Sequence, residues 1–382
     1  MLKKLLTRYL LATGVLAHVA LLGALVFAPG LVQKLRYKAQ AKVEHQLAEV
    51  VPAAKAAPAV TWEQARASLR KWQANTESRL GRGQIRVDGR DVGSLEEAAK
   101  RLRDGSLLEI GEGVYSTAMV TKANDIRIIG RGHVVFDKAV AQGKGTFVIN
   151  GDGTTIENIE CRNVNVGDGN GSCVRLQGKD LNLEHVYFHS SQQGLLTGRD
   201  PGHVSIRHSF FERLGHGGQA HGVYQGGGSL AIDRSYFLGS KNEGHEVKSR
   251  ALRTTITRSV IASLTGDDSR LIDISNGGIV SITDNTLQQG PNSENWDLIG
   301  FALEKRRHKE NALTVKRNVI IMEREGGNNL LHSKAQNTKL DVSDNIIVSP
   351  KKTRFADHNL EYGDREEARL PPYPEVPERP IQ

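Results

Sequence analysis

The chain is short of the residues that usually build a thick core. Aromatic side chains make up 5 % of its 382 residues, and there are three methionines and two cysteines. So few aromatics point to thin, repetitive layers rather than to one large centre. Two cysteines rule out a disulfide framework. Cys161 and Cys173 lie in consecutive repeats, which leaves a single bridge open, but the expectation is two buried free thiols. A charge excess is also missing from most of the chain. Residues 1–80 carry 12 Lys/Arg against 4 Asp/Glu, whereas residues 81–382 carry 39 against 39. The body therefore lacks the overall cationic excess of a nucleic-acid binder, although a local cationic groove remains open to it. What the chain does have is glycine, 40 residues of it, as many turns require.

Long apolar runs are absent after residue 33. Before it, Leu10 to Val32 is free of formal charge and long enough to cross a bilayer as a helix. Lys3, Lys4 and Arg8 precede it, which predicts a cytoplasmic N-terminus and a body in the periplasm, on a single-pass inner-membrane anchor over 1–33. A cleaved signal peptide is the alternative, but its apolar core is usually shorter. Residues 34–80, rich in Ala, Lys, Glu and Gln, read as a helical stalk or linker. Thr61 is placed as N-cap of a second stalk helix over 61–80, with Gln64 at capping-box spacing. Trp62, Leu69 and Trp72 are expected over the end of the following domain.

From Gly81 the pattern changes. Ser94 to Tyr115 reads as a helix, a Gly turn and a strand, with Ser94 as N-cap and Glu97 three residues on. Eight strand-like segments follow, aligned on Ile159, Val186, Ser209, Ser235, Ser259, Asn285, Asn318 and Asn345. Their intervals are 27, 23, 26, 24, 26, 33 and 27 residues, a repeat that signifies stacked coils. Propeller blades need longer repeats, and the Leu spacing of leucine-rich repeats is absent. The Asn and Ser of the aligned slot are expected to point inward and bond the backbone of neighbouring coils. The expected fold is an all-β, right-handed parallel β-helix of about eight to ten coils over 81–352, with an N-terminal capping helix. A charged, Pro-rich tail over 353–382 is expected to lie on the last coil or remain disordered.

The helix-capped start and the eight coils resemble the right-handed parallel β-helix superfamily of pectate lyases over roughly residues 81–350. The resemblance implies a polysaccharide lyase, a uronate epimerase or a glycoside hydrolase, with its site along one sheet. The metal-binding Asp cluster of the calcium-dependent pectate lyases and the catalytic Asp pairs of the polygalacturonases have no counterparts at matching positions.

Each coil holds a second strand about eleven residues before its aligned slot. Val174, Leu176, Val223, Val247, Ile272 and Ile274 are expected to face inward. Their neighbours Arg175, Tyr224, Glu246, Lys248, Arg250 and Asp273 then face out. Counting back from the slots puts Arg175, Tyr224, Lys248 and Asp273 in one column, with Thr197 and Gly198 in the coil between Arg175 and Tyr224. His221 and His245, fourteen before their slots, are expected to stack beside it, inward or at the coil corner.

These groups suit β-elimination on an acidic polysaccharide. Lys248, with a lowered pKa, is the expected base; Arg250 or Arg175 holds the carboxylate; Tyr224 or His245 donates the proton. His221 is counted with the catalytic group, and Glu246, Asp273 and Arg270 with the substrate-binding one. The alternatives are a surface array of ion pairs, an epimerase, and a hydrolase using carboxylates such as Glu246, Asp273 and Glu304. A non-catalytic β-helix that binds or guides a polysaccharide during export or assembly is the alternative from another class. No cofactor or metal is expected, because no ligand pair has a metal-site spacing. The cationic loop around Lys305, Arg306, Arg307, His308 and Lys309 is a candidate flank for an acidic polymer.

Overall fold

Runs of alternating apolar residues, broken every few positions by a residue that turns the chain, produce a coil that repeats about nine times. A computed structural model of the protein describes residues 61–371, apart from 78–79, 305–307, 325 and 337. Each coil gives one strand to a nine-stranded parallel sheet that runs from Met119–Thr121 to Asn329–Ser333. The two following strands of each coil join a 21-stranded sheet. This is the expected all-β parallel β-helix. It starts with a hairpin, Ile85–Val87 and Arg90–Val92, under helix Leu95–Arg101, whose cap Ser94 accepts the Glu97 amide as expected.

Between the last two strands of each coil the chain turns on one residue in the left-handed region. These corner residues are Asn158, His185, His208, Arg234, Arg258, Asp284, Arg317 and Asp344, with φ between 46° and 61°. None is glycine, and such a conformation costs an ordinary side chain about 1–2 kcal/mol. The residue after each corner is the aligned slot of the sequence repeat. From Ser209 onward its side chain points inward and accepts the slot amide of the coil before. Val186 N donates to Ser209 Oγ, Ser209 N to Ser235 Oγ, and Ser235 N to Ser259 Oγ. Ser259, Asn285 and Asn318 continue the series onto Asn285, Asn318 and Asn345, each at 2.9 Å. The inward ladder expected from the repeat is present.

The ladder does not stop at Asn345. Its amide donates to Asn359 Oδ1, and strand Leu360–Tyr362 pairs in parallel with Ile346–Val348. Residues 353–362 are thus the start of a further coil. Ala368 and Leu370 then pack beside Val319, Ile321 and Val348.

The membrane helix and helical stalk expected ahead of the solenoid need correction. Among the described residues, no helix is long and apolar enough to cross a membrane. The expected span Leu10–Val32 lies outside the described residues. Of the described residues of the stalk helix expected over 61–80, six are helical, Trp62–Ala67, with the Thr61–Gln64 capping box in place. Thereafter the chain is extended and lies along the flank of the coils, not over their end. Tertiary partners outweigh its helical propensity. Leu69 and Ala65 are buried against Phe210, Tyr236, Leu238 and Val260. Trp72 stacks on His185 and donates to its carbonyl oxygen, and Asn75 exchanges hydrogen bonds with the corner residue Asn158. The strap covers an outward aromatic stripe that water would otherwise meet.

Cys161 and Cys173 form a disulfide with Cα atoms 5.8 Å apart, in place of the two free thiols expected. It ties strand Glu160–Arg162 to strand Ser172–Leu176, across a separation of 12 residues. A loop of that size restricts the unfolded chain, so Cys173→Ser is expected to lower stability by about 3 kcal/mol. Urea unfolding of the variant and of the reduced wild type checks this; both midpoints should fall together.

Candidate functional site

Strand periodicity sends every second side chain of the nine-stranded sheet outward. Val174, Leu176, Val223, Val247, Ile272 and Ile274 are buried, as their parity requires. The outward column, read from the paired registers, is Val148, Arg175, Leu196, Tyr224, Lys248, Asp273, Gly300 and His332. Arg175, Tyr224, Lys248 and Asp273 therefore share a column as expected. The rung between Arg175 and Tyr224 is Leu196 rather than Thr197 or Gly198. The connection to strand His203–Arg207 is longer in that coil, so counting back eleven residues from Ser209 stops short of Leu196.

Four charged groups meet at the centre. Lys248 Nζ lies 3.1 Å from Asp273 Oδ2 and 3.2 Å from Glu304 Oε1. Arg250 holds the same Glu304 carboxylate through Nε at 3.1 Å and Nη2 at 2.7 Å. The Tyr224 ring flanks both cations, 5.8 Å from Lys248 Nζ and 4.9 Å from the Arg250 guanidinium carbon. Among the described residues its hydroxyl has no hydrogen-bond partner. Burial opposes the charge on Lys248, but Asp273 and Glu304 outweigh it and hold the ammonium above its ordinary pKa. Lys248 is therefore a fixed cation, where the sequence suggested a base. For Asp273 burial works upward, yet the His245 hydrogen bond and the Lys248 charge keep it well below the carboxylate range.

His221 and His245 stack with ring centres 4.8 Å apart, as the spacing predicted, and both are buried. The His245 amide donates to His221 Nδ1, and the Arg270 amide donates to His245 Nδ1. Those donors leave the ring proton on Nε2, and His245 Nε2 faces Asp273 Oδ2 at 3.3 Å. Burial holds both rings below the ordinary histidine pKa, so they are neutral. His245 orients Asp273 from beneath; it does not reach the open face.

Glu246 departs from the expectation. It is 1 % exposed and turns into the coil corner, where Ser240 N donates to Oε1 at 3.0 Å. The strand begins only at Val247, so two-residue alternation does not extend back to Glu246. Its neighbour is Asp268, held by Ser263 and Ser293. Burial and the Asp268 charge push the Glu246 pKa well up, which keeps the acid protonated beside Asp268. Arg175 stands two rungs above Tyr224 and, among the described residues, forms no ion pair; burial lowers its pKa.

Sequence reasoning missed the lower part of the face. Asp297 Oδ2 accepts from Arg270 Nη2 at 3.2 Å and lies 3.0 Å from His332 Nδ1, while Asn329 donates to Oδ1. The interval of 33 residues hides these positions, although Asn329–Ser333 carries the outward parity that would have marked His332. Gly300 has a steric reason: a Cβ there would stand 2.9 Å from Arg270 Cδ and Leu303 Cδ1. Gly300→Val is thus expected to drive Arg270 off Asp297 and to cost about 1–3 kcal/mol by overpacking. Thermal melts of this variant against Arg270→Ala check the assignment, because the two losses should not add.

Among the described residues no cluster of His, Cys, Asp and Glu could hold a metal ion. What remains is an open, partly desolvated strip with two cations, one aromatic ring and a free phenol, suited to a carboxylated, ring-shaped ligand. No protein-family model matches the chain, and no curated protein matches it either.

Proposed function

We propose that the protein acts on an acidic polysaccharide laid along the nine-stranded sheet and cleaves it by β-elimination. The observation that carries this reading is the adjacency of Tyr224 and Lys248 on successive rungs, with Arg250 over the same ring. Lys248 and Arg250 neutralise the uronate carboxylate and so acidify the neighbouring C–H. Tyr224, as phenolate, takes that proton; the ring carbon–oxygen bond to the next sugar breaks as the double bond forms. The phenol then returns the proton to the leaving oxygen. The likeness of cap and coils to the pectate lyase-like β-helices supports the same reading. The disulfide supports a location outside the cytoplasm, since such bonds persist in oxidising compartments.

The test is turnover of uronate polymers, followed by ultraviolet absorbance of the unsaturated product. Tyr224→Phe and Lys248→Ala are each expected to cut it by about 10²–10⁴-fold. Absence of turnover on every uronate polymer, with binding that survives Lys248→Ala, overturns it. The pairing of Lys248, Arg250 and Arg270 with internal carboxylates favours one second reading, a non-catalytic β-helix that binds or guides the polymer during export.

A further inference from the structure

Two carboxylates share the two cations at the centre of the face, and they are not equivalent. Asp273 belongs to a strand, is 6 % exposed in its side chain, and is held from below by His245. Glu304 lies beyond the end of strand Asp297–Phe301, and its side chain is 38 % exposed. Its two oxygens take Arg250 in a fork and reach Lys248 at 3.2 Å. That is the geometry with which a guanidinium and an ammonium receive a ligand carboxylate. Asp273 balances one positive charge permanently. The second is balanced by a group at the surface that has only to turn about its own side-chain bonds to leave.

We propose that Lys248 and Arg250 form a carboxylate-binding site that Glu304 fills in the free protein and that the carboxylate of an anionic saccharide takes over. Glu304 is an internal competitor. It keeps two half-buried cations compensated while the face is empty, and it sets a threshold that only a carboxylated ligand can cross. A neutral sugar has nothing to exchange for Glu304 and is turned away. This rests on the reading that the face receives an acidic saccharide, but it does not require that the saccharide be cleaved.

The experiment is a calorimetric titration of the full chain with D-galacturonate and D-glucuronate, with glucose as the neutral control. Glu304→Gln keeps the side-chain volume and removes the competing charge. It is expected to bind at least one of the uronates about tenfold more tightly than wild type, as removal of a state that blocks the site about nine times in ten would give. Glucose binding should be undetectable in both proteins. Glu304→Gln combined with Arg250→Gln should lose the gain, and thermal melts establish that each variant is folded. Equal or weaker uronate binding by Glu304→Gln, or no binding by any variant, overturns the proposal. Tighter binding without turnover leaves the competitor in place and removes the lyase. Turnover with unchanged binding does the reverse.

Discussion

Replacing Asn318 with alanine is expected to lower the stability of the solenoid by about 3–5 kcal/mol. Four hydrogen bonds end on this carboxamide. Oδ1 accepts from the Asn285 amide at 2.9 Å and from Asn285 Nδ2 at 3.0 Å. Nδ2 donates to Ile282 O and to Asn345 Oδ1, both at 2.9 Å. Alanine leaves a buried amide and a buried carbonyl without partners, and each such group costs about 1–3 kcal/mol. Serine is the informative contrast. Ser209, Ser235 and Ser259 fill the same slot and accept the preceding amide through Oγ. Asn318→Ser should therefore recover roughly half of the loss, since one acceptor is restored and the donor arm is not. Urea unfolding measures both. Equal losses for alanine and serine would mean that the slot is valued for packing and not for its hydrogen bonds.

Glu246→Gln should stabilise the protein progressively as pH rises above the ordinary carboxylate range, by up to about 1.4 kcal/mol per pH unit. The sign follows from the shift. Glu246 is held well above its ordinary value of 4.5, first by burial and then by Asp268. Above that ordinary value the unfolded chain releases the proton and the folded one keeps it, so stability falls with pH. The same holds for Asp268, raised from 3.8 to about 7, chiefly by burial. Glutamine removes the first of these penalties. Its carbonyl can still accept the Ser240 amide. His221, His245 and Asp273 act in the opposite sense. Their folded pKa values are depressed, so they lose stability as pH falls below the ordinary histidine range and, for Asp273, below 3.8. The clean measurement is therefore the difference between variant and wild type from about pH 4.5 upward, where the unfolded chain has released this proton and the fold still holds it. A difference that does not change with pH would show that Glu246 is ionised in the fold.

The fold was legible in the sequence because a solenoid writes its period directly into the chain. Each slot residue is followed within a few dozen positions by its partner in the next coil, and the Asn and Ser of the slot state the hydrogen bond they make. Column membership was legible for the same reason, as parity alone sends Tyr224, Lys248 and Asp273 to one face. Parity fails where strands end, and there the errors fell. Glu246 is at a corner, and Leu196 was displaced in the count by a longer loop. Asp297 stands within, and His332 beyond, an interval of irregular length. The strap of residues 61–77 was hidden for a different reason. Its first turn carries a good capping box, but what fixes the rest is contact with Phe210, Tyr236 and His185, more than 100 residues away. The charge state of Lys248 was hidden likewise, because Glu304 lies 56 positions further along the chain.

The column on the nine-stranded sheet has one more consequence, and it concerns length. From Arg175 to His332 there are six rises of about 4.8 Å, roughly 29 Å in all. The face is a graduated ruler and not a socket. On the proposed reading a single sugar ring would touch one or two graduations, whereas an oligomer would meet Arg175, the Tyr224–Arg250 platform and the His332–Asp297 pair in turn. Affinity on such a surface grows stepwise with the number of units, until the chain outruns the ruler.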